Sequence, residues 1–497
     1  MSTNFAIPDE VSTLTAALES AGFEAYLVGG CVRDLVLSRP PKDWDVTTNA
    51  TPEQIQATFP HTFYENDFGT VGVVNDDVSR EMDSGDVSRE TLHVIEVTPY
   101  RLESEYSDFR RPDSVIFSQN LKDDLKRRDF TINALAYSVS RGTLIDEFGG
   151  LLDLQKRLVR TVGDPGERFA EDALRLLRAV RLAAELDLDI EPATNKALAE
   201  LSILLEKISV ERIRTETVRI IESPDPVRGF TLARNLGLNQ YIFPELEEGV
   251  GCEQMSTHAY DVWEHNLRSL EYAVERKYEF HVKLAALLHD VGKPRTKRKG
   301  KRKPTFYGHD VVGARMAKKM LDRLKFSRET TDIVVKLVRH HLFFSDPDAI
   351  TLSAVRRMVA NVGKDLIWDL MKLRQCDRIG TGRPKAHPWR LRKYEAMIDQ
   401  VLRDPISVKM LKMDGGKLMK VTRETPGPRI GWVLHALLEE VLDDPTLNND
   451  DYMVRRSAEL AKLSDKELMK IGEAGKETRK EAEDRQIKEI NRAHGVH

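Results

Sequence analysis

The chain has 497 residues, of which 41% are hydrophobic and 31% charged, and its net charge at pH 7 is −4. This composition is typical of a soluble globular protein and excludes a polycation, so any contact with nucleic acid must come from local basic patches. The length predicts about three or four domains.

The three cysteines, Cys31, Cys252 and Cys376, lie far apart and form no C-x-x-C pair, which is typical of a reducing compartment. No apolar run reaches transmembrane length. The first residues, MSTNFAIPDE, lack the basic start and apolar core of a signal peptide. The sequence therefore predicts a cytoplasmic protein without membrane contact.

The first predicted elements are a helix over residues 8–22 and then a strand, a glycine turn, a short helix and a second strand between Tyr26 and Thr48. Gly29 and Gly30 form the turn, and glycines let backbone N–H groups come close to a phosphate. Arg33 follows in the short helix, where its guanidinium can hold the same phosphate. This stretch therefore predicts a phosphate-binding turn.

Two acidic residues, Asp43 and Asp45, are predicted in the second strand. Alternate residues of a strand share a face, so both carboxylates should hold one or two divalent cations, as two-metal phosphoryl transfer requires. Further strands are predicted over 70–74 and 93–99, and Glu96 is a candidate third carboxylate. The alternatives are an acidic strand end beside a glycine turn and an ordinary edge-strand glutamate.

A charged segment over 100–117 is predicted to be a mobile stretch near the site, and a helix is predicted over 122–137. The polar part of this helix is either a solvated surface or a clamp for a triphosphate. The strand pattern ends at residues 149–150, which is the first predicted domain boundary. The candidate nucleotide-binding residues of the helix are Arg127, Arg128, Asp129 and Asn133.

Beyond residue 150 the chain is predicted to be almost wholly helical, and a helix over 171–186 carries a stripe of charges. Three residues turn a helix by about 300°, so charges at every third position form one slowly spiralling stripe. The stripe is either a salt-bridged surface or a reader of a nucleobase edge with further arginines on phosphate. Its members are Asp172, Arg175, Arg178 and Arg181.

A second chemical centre is predicted over residues 258–380, where histidine and aspartate recur at helix ends. Imidazoles and carboxylates in a helical bundle are typical ligands of a divalent metal. A single histidine is more often a core or surface residue, but a series of this length favours a metal site. The candidate ligands are His265, His289, Asp290, His309, His340, His341 and Asp377.

A basic segment lies between these histidines, because eight of the eleven residues from Lys293 to Lys303 are Lys or Arg. It is either a solvated loop or a sequence-independent contact to an RNA backbone, and it contains no aromatic residue that could stack on a base. The highly charged last segment, 464–497, is predicted to be an exposed helix or a frayed tail. The candidate RNA-binding residues are Lys297, Arg298, Lys299, Lys301, Arg302 and Lys303.

Residues 20–250 resemble the bacterial class II tRNA nucleotidyltransferases, the CCA-adding and poly(A) polymerase family within the polymerase-β-like superfamily. The resemblance rests on five motifs in order and spacing: GGCVRD, DWD, RRDFTINA, EDALRLLRAVR and ERIRTE. Residues 258–380 resemble an HD-type metal-dependent phosphohydrolase domain.

The resemblance implies an α+β fold, with a polymerase-β-like head of a mixed five-stranded sheet and helices, followed by an all-α neck, body and tail. The implied domains are a catalytic nucleotidyltransferase head over 1–150, a neck for base recognition and RNA binding over 151–250, an HD-type metal domain over 251–395 and a tRNA-binding helical tail over 396–497. Nothing in the sequence indicates the oligomeric state.

The resemblance also implies the reaction, which is template-independent addition of CCA to the 3′ end of tRNA from CTP and ATP, with release of pyrophosphate. Mg²⁺ would sit on Asp43 and Asp45, and the segment YSDFRRPD resembles the loop that helps to switch from C to A addition. The residues implied to contact the nucleotide are Gly30 and Arg33, then Arg128 on the phosphates, Asp172 and Arg175 on the base, and Arg178 and Arg181 behind them.

Two alternatives stay open at this point. One is a poly(A) polymerase on the same scaffold, and the other is a protein that acts mainly as an HD-type phosphohydrolase. The HD region could hold a second divalent metal (Mg²⁺, Mn²⁺, Ni²⁺ or Fe²⁺) and hydrolyse phosphate esters, or it could only clamp tRNA.

Overall fold

A computed structural model describes the protein over residues 5–64, 69–74, 94–103, 115–254, 259–299, 304–342, 350–404, 407–468 and 471. The chain divides into two compact units, residues 1–242 and residues 243–497.

The first unit contains all the described β-strands of the chain. In chain order they are β1 (Ala25–Val28), β2 (Asp45–Thr48), β3 (Thr62–Tyr64), β4 (Val71–Val74), β5 (Val94–Pro99), β6 (Arg101–Glu103), β7 (Val115–Phe117), β8 (Leu135–Ser138), β9 (Thr143–Asp146), β10 (Leu158–Val159) and β11 (Asp189–Ile190).

Seven of these strands form one mixed sheet in the order β3-β4-β5-β2-β1-β8-β9. β2 pairs antiparallel with β1 and parallel with β5, and all four residues of β1 are buried, as in a strand covered on both faces. The five strands that the family resemblance implies are too few, because β3 and β9 extend the two edges as hairpin partners of β4 and β8. Such short edge strands give little periodic signal.

The helices of the first unit surround this sheet and continue beyond it. They are α1 (Asp9–Ser20), α2 (Gly30–Val36), α3 (Pro52–Thr58), α4 (Leu121–Lys126), α5 (Gly150–Gln155), α6 (Pro165–Glu171), α7 (Arg175–Leu186), α8 (Pro192–Glu200), α9 (Val210–Glu222), α10 (Pro226–Asn235) and α11 (Asn239–Ile242), with 3₁₀ turns over Thr131–Asn133 and Ser202–Lys207. One core cluster joins the sheet to α4, and its buried members are Tyr26, Val28, Tyr100, Leu125, Ala134, Ala136 and Val162.

The helix predicted over 122–137 is wrong beyond Lys126, where α4 ends. A 3₁₀ turn follows, and then β8 begins at Leu135. All four residues of β8 are buried, and a short apolar run buried on both faces cannot be told from a helix by its periodicity.

The helix predicted over 171–186 is interrupted near its start. Asp172 adopts an extended conformation with φ −136° and ends α6, while α7 begins at Arg175. Asp172 therefore does not lie on the helical stripe that the sequence predicts. The side chain of Asp172 accepts a hydrogen bond from the backbone N–H of Leu174 at 3.0 Å, which favours a break over a continuous helix.

The described part of the second unit is helical. It contains α12 (Val262–Glu275), α13 (Phe280–Leu288), α14 (Lys293–Thr296), α15 (His309–Arg323), α16 (Arg328–His340), α17 (Leu352–Val362), α18 (Ile367–Gly380), α19 (Trp389–Val401), α20 (Gly415–Thr422), α21 (Pro428–Asp443) and α22 (Asp450–Leu460), with 3₁₀ turns over Pro244–Gly249, Val408–Met410 and Pro445–Leu447.

The apolar helix α13, with the sequence FHVKLAALL, organises the first half of this unit. It packs against α12, α16 and α18, because a helix that is apolar on most sides must be buried by its neighbours. The residues that follow its last turn are therefore held deep in the bundle. Across the described residues, no helix combines the length and the apolar character that a membrane crossing needs.

Candidate functional sites

Gly29 brings the glycine turn, an arginine and an acidic residue together. Its φ of +78° lies in the left-handed region that favours glycine. A Cβ atom at this position would lie 3.0 Å from Arg128 Nη1 and 3.3 Å from Asp45 Oδ2. The turn, the guanidinium and the carboxylate therefore border one small space, and a larger residue at position 29 would enter it.

The predicted carboxylates approach this space from neighbouring strands. Asp45 is the first residue of β2, and its register partner on the parallel strand β5 is Glu96. Directly paired residues point to the same face of a sheet, so these two carboxylates share a face. Asp43 lies in a bend before β2 and not within the strand as predicted, since the pairing of β2 with its neighbours starts only at Asp45.

The electrostatics of Asp45 suit a bound cation. Burial raises the pKa of its carboxyl group, the nearby Arg128 opposes that rise, and the charge of Asp43 adds to it. A carboxylate that is penalised by burial and by a second carboxylate is stabilised by a positive ion. Carboxylate oxygens are the ligands that Mg²⁺ prefers, so this donor set fits a divalent cation.

A chain of buried hydrogen bonds fixes the residues behind the turn. Arg33 Nη1 donates to Asn133 Oδ1 at 2.7 Å, and Asn133 Nδ2 donates to Asp129 Oδ1 at 3.0 Å. Arg178 Nε donates to the other oxygen of Asp129 at 2.7 Å. Although burial favours the neutral acid, Arg178 and Asn133 hold the pKa of Asp129 well below its usual range. Asp129 and Asn133 thus orient the two arginines.

The two predicted clamp arginines, Arg127 and Arg128, both bind Asp124. This carboxylate is fully buried and accepts from Arg127 Nε at 2.9 Å and from Arg128 Nη2 at 3.1 Å. Arg128 keeps its second terminal nitrogen beside Gly29, whereas Arg127 Nη2 donates to Asp124 as well, at 2.6 Å. Sequence reasoning missed Asp124. Its i,i+3 and i,i+4 spacing to the two arginines could have indicated these ion pairs.

The predicted base readers lie at the break between α6 and α7. Asp172 Oδ2 accepts from Arg212 Nη2 at 2.7 Å, and sequence reasoning did not single out Arg212. Arg175 Nη1 donates to Glu171 Oε2 at 2.5 Å, and its Nη2 donates to the backbone oxygen of Arg127 at 3.1 Å. Arg175 therefore ties this break to the chain beside the phosphate clamp.

The remaining stripe arginines have different partners. Arg178 binds Asp129, but Arg181 lies 3.3 Å from Glu216 and 3.5 Å from Glu185. Burial lowers the pKa of Arg181 to about 10 although both glutamates oppose that shift. Arg181 thus joins α7 to α9, as a structural ion pair between helices, while Arg178 faces the network behind the turn.

In the second unit, five side chains converge around Asp290. The Oδ2 atom of this carboxylate lies 3.0 Å from His265 Nε2, and its Oδ1 atom lies 3.4 Å from His309 Nε2. Asp290 therefore faces two sets of partners. Two groups have ligand atoms that all lie within 4.8 Å of one another, and every member is buried: His265, His289, Asp290 and Asp377, and Asp290, His309 and His341.

The hydrogen bonds of the histidines determine which ring atoms face the centre. His289, His309 and His341 each place Nδ1 2.7–2.8 Å from a backbone carbonyl oxygen. A carbonyl only accepts, so Nδ1 carries the hydrogen and Nε2 of the neutral ring keeps a lone pair. The Nε2 atoms of His309 and His341 are nevertheless 3.3 Å apart. Facing lone pairs repel unless a cation lies between them, so the centre fits divalent metals.

His340 was predicted to be a metal ligand, and Lys293 was predicted to lie in the basic segment, but the structure gives both a different environment. His340 is the last residue of α16 and belongs to neither group of candidate ligands. Successive helical residues point about 100° apart, so only His341 of this pair faces the centre.

Lys293 belongs to the basic segment but is buried, forms an ion pair with Asp290 Oδ2, and donates to Gln254 Oε1 at 2.6 Å. The i,i+3 spacing of Lys293 and Asp290 in the sequence could have indicated this ion pair.

A cavity of about 780 Å³ opens onto this centre. Asp290, His309, His341 and Asp377 line one part of it. The other charged residues that line it are all cationic, and they are Lys293, Arg374, Arg378, Arg383 and Arg390. Such a cavity suits an anionic ligand that reaches the candidate metal site.

Two predictions concern residues beyond the described ranges. The segment YSDFRRPD, residues 106–113, lies outside the described residues, as do the candidate RNA-binding residues Lys301, Arg302 and Lys303. The preceding Lys297, Arg298 and Lys299 are described. The backbone of Arg298 pairs with that of Thr305 through bonds of 2.9 and 3.0 Å.

Three family models match the chain. The poly A polymerase head domain matches residues 25–160, the probable RNA and SrmB binding site of polymerase A matches residues 187–249, and the HD domain matches residues 262–377. The CCA-adding enzyme of Limosilactobacillus reuteri is 47% identical over 231 residues, which are 46% of this chain and 53% of the relative. That of Pediococcus pentosaceus is 45% identical over 239 residues, 47% of this chain and 56% of the relative.

Solved structures extend the similarity to most of the chain. The Bacillus stearothermophilus CCA-adding enzyme in complex with CTP aligns with a TM-score of 0.67 and 27% identity, covering 90% of this chain and 96% of that one. The Thermotoga maritima CCA-adding enzyme complexed with tRNA shares the fold, with a TM-score of 0.53, 21% identity and coverage of 90% and 94%. The resemblance and the fold class predicted from the sequence are thereby confirmed, although the chain spans about half the length of the curated relatives it matches.

Proposed function

We propose that this chain, which carries a poly A polymerase head and an HD domain, adds CCA to the 3′ end of tRNA from CTP and ATP and releases pyrophosphate. The observation that carries this proposal is the space bordered by Gly29, Asp45 and Arg128. A phosphate-binding turn, a metal-binding carboxylate and a cation for the triphosphate meet there. The similarity to CCA-adding enzymes supports the same activity.

The residues around this space have separable roles in nucleotidyl transfer. Mg²⁺ on Asp43, Asp45 and Glu96 would lower the pKa of the tRNA 3′ hydroxyl and offset the charge of the departing pyrophosphate. Arg128 offsets charge on the triphosphate. The 3′ oxygen attacks the α-phosphate in line, which forms a phosphodiester bond and breaks the bond to the β-phosphate.

Base selection is proposed for the break between α6 and α7. Asp172 supplies an acceptor and Arg175 a donor for the Watson–Crick edge of C or A, so that protein groups replace a nucleic-acid template. The ion pair of Asp172 with Arg212 and the contacts of Arg175 with Glu171 and Arg127 support this role, because preformed partners hold both side chains in fixed orientations.

Incubation of tRNA lacking CCA with each nucleotide alone and with CTP and ATP together, followed by sequencing of the 3′ ends, tests the proposal. We expect a fixed CCA end that requires both nucleotides. A homopolymer of A would instead indicate a poly(A) polymerase on the same scaffold. Absence of any added nucleotide would contradict both transferase functions.

For the HD domain we propose metal-dependent hydrolysis of a phosphate ester. The two ligand groups that share Asp290 carry this proposal, and the cationic cavity supports it. Divalent metals there, for which Mg²⁺, Mn²⁺, Ni²⁺ and Fe²⁺ are candidates, would activate a water molecule and polarise the phosphate. Lys293 holds Asp290 in place, and the arginines of the cavity bind the phosphate oxygens.

Hydrolysis of phosphate esters by the full chain, assayed with each candidate metal in turn, tests this second function. Asp290→Ala should abolish hydrolysis and leave CCA addition intact. Hydrolysis that survives this substitution would assign it to another site. All three cysteines are buried and unpaired, which supports the proposal that the protein works in the reducing cytoplasm.

A further inference from the structure

We propose that Asp124 is a positioning residue for nucleotidyl transfer, which holds Arg128 on the phosphates and Arg175 on the base in one fixed relation. This inference rests on the CCA addition proposed above, and it adds a residue that lies outside all five sequence motifs that indicated that function. Asp124 touches neither the nucleotide nor the metal in this proposal. It acts through the arginines, from the end of helix α4.

The carboxylate of Asp124 is fixed in the interior of the first unit. It is fully buried, and the next residue, Leu125, belongs to the core cluster that joins the sheet to α4. Burial raises the pKa of this carboxyl group, but the charges of Arg127 and Arg128 outweigh burial and hold that pKa below its usual range. A buried charge is stable only while its partners keep their geometry, so carboxylate and arginines hold each other in place.

The two oxygens of Asp124 are divided between the two arginines. Oδ1 accepts from Nε and Nη2 of Arg127, while Oδ2 accepts from Arg128 Nη2 at 3.1 Å. This arrangement leaves Nη1 of Arg128 at the space beside Gly29. Without the charge of Asp124, two guanidinium groups would repel each other, and Arg128 would lose the bond that directs it toward the triphosphate.

Two backbone carbonyl groups at the end of α4 support the base reader. Arg175 Nη2 donates to the backbone oxygen of Arg127 at 3.1 Å. Arg168 Nη1 donates to that of Lys126 at 3.2 Å, and both of these donor arginines also pair with Glu171. The last carbonyl groups of a helix lack partners within that helix, so they accept these bonds. The phosphate clamp and the base reader are therefore attached to one short segment.

This attachment matters because both ends of one nucleotide must be held at once. The α-phosphate must be in line for attack while the base is read, and a displacement of about 1 Å can cost about 100-fold in rate. Asp124 fixes Arg128 directly. It fixes Arg175 through Arg127, whose side chain it binds and whose backbone oxygen Arg175 contacts. Loss of the charge of Asp124 should therefore affect both phosphate binding and base choice.

Inorganic tripolyphosphate, which has no base, separates the two effects. Its binding to the full chain is measured by calorimetry with Mg²⁺ present, and misincorporation is measured by competition between CTP and ATP on a tRNA that ends one nucleotide before A. We expect Asp124→Asn to weaken tripolyphosphate about tenfold, as loss of one charge-assisted hydrogen bond should, and to raise misincorporation about threefold. Tripolyphosphate bound in the second unit contributes equally to all variants.

Asp123→Asn is the matched control. Asp123 lies in the same helix, and its carboxylate accepts from Ser118 Oγ at 2.6 Å. The same change of charge one residue away should leave both measurements within about twofold of wild type. Equal losses in Asp123→Asn and Asp124→Asn would overturn the proposal, because they would make any negative charge on α4 sufficient.

A double variant separates positioning from general damage. If Asp124 acts on the phosphates through Arg128, Asp124→Asn combined with Arg128→Ala should bind tripolyphosphate no more weakly than Arg128→Ala alone. Additive losses, or weaker tripolyphosphate binding with unchanged base choice, would overturn the proposal. Wild type that adds no nucleotide would reject CCA addition, whereas weaker tripolyphosphate binding in Asp124→Asn would still confirm that Asp124 positions Arg128.

A second variant covers the case in which Asp124→Asn does not fold, which urea unfolding would reveal. Arg168→Ala removes the bond to the backbone oxygen of Lys126 and one partner of Glu171, but it leaves the carboxylate and its two arginines intact. It should raise misincorporation and leave tripolyphosphate affinity unchanged. Unchanged base choice in Arg168→Ala would overturn the proposed link between the end of α4 and the base reader.

Discussion

In the first unit, donors of the protein itself hold the acidic residues behind the proposed nucleotide site, whereas in the second unit carboxylate and imidazole acceptors face one another. Asp129 accepts from Asn133 and Arg178. Asp290, by contrast, has imidazole nitrogens around both of its oxygens, and His309 and His341 approach each other through atoms that carry lone pairs.

The difference indicates what each centre needs in order to work. In the first unit, ion pairs such as that of Asp129 with Arg178 fix the side chains behind the site. Asp43 and Asp45, at the edge of this network, are the residues proposed to bind metal. In the second centre, Lys293 pairs with Asp290 and Arg374 pairs with Asp377, but His309 and His341 direct lone pairs at each other, and a cation between them would relieve that repulsion. Substitutions in the first unit should therefore separate catalysis from framework stability, while those in the second should act first on metal content.

The largest expected effect is at Asp45. Asp45→Asn preserves the shape of the side chain but removes its charge, so nucleotide incorporation should fall by about 1000-fold or more, equivalent to about 4 kcal/mol of transition-state stabilisation. Binding of tRNA, measured by filter retention, should survive. The exposed Asp9→Asn serves as a control for an acidic residue outside the site, and retained incorporation in Asp45→Asn would remove this residue from the metal site.

The next effect concerns the second centre. His289→Ala should remove at least one bound divalent metal per chain, measured by elemental analysis after dialysis, because it deletes a ligand of one buried group. CCA addition should stay within about twofold of wild type. His281→Ala is the matched control, since His281 binds Asp369 at 2.7 Å outside both groups. Equal loss of metal in both variants would argue against the assigned ligands.

A smaller effect is expected on the stability of the first unit, through the pH dependence of the contribution of Asp129 to the free energy of unfolding. The pKa of Asp129 is depressed in the folded protein, so its contribution to stability is complete above the unfolded value near 3.9 and is lost as the pH falls toward the folded value. Asp129→Asn should lower the free energy of unfolding at pH 7 by about 2 kcal/mol, because Arg178 loses its ion pair.

Urea unfolding at several pH values measures this contribution. The difference between wild type and Asp129→Asn should shrink as the pH is lowered from about 5 to about 2. Asp189→Asn, which removes an exposed partner of Arg228, should change stability by less than about 1 kcal/mol at any pH. A constant difference for Asp129→Asn across the pH range would show that its charge is not the stabilising feature.

The smallest effect is one of selectivity. Arg175→Ala should raise misincorporation between C and A by about tenfold, because a hydrogen-bond donor to the base is worth about 1–3 kcal/mol of discrimination, while affinity for tRNA changes less. Competition between CTP and ATP on a tRNA that ends one nucleotide before A measures it. Arg175→Lys keeps the charge but not the paired donors. Unchanged selectivity in Arg175→Ala would exclude this residue from base reading.

Local patterns in the sequence were enough to predict several parts of both centres. The glycine turn at Gly29 needed only two adjacent glycines after an apolar strand, and the helix predicted over 8–22 appears as α1. The His and Asp series also identified the second centre, since six of its seven members lie in the two ligand groups. These features depend on residue type and short spacing, which a sequence displays directly.

Other parts depended on long-range packing. The register of Asp45 with Glu96 comes from pairing of strands that are far apart in sequence, and β8 replaced a predicted helix because both of its faces are buried. The extended Asp172 and its partner Arg212 likewise join residues 40 positions apart. No local pattern contains such contacts.

The sequence by itself determined the chemistry of this protein: a glycine turn with acidic and basic residues in order, and a histidine series typical of a metal site. The tertiary structure alone decided which of those groups meet. It set Arg128 against the Gly29 turn, paired Asp172 with Arg212, and left His340 out of both groups of candidate metal ligands. Side-chain direction is fixed by helix phase, strand register and burial together, and these arise only when distant segments pack.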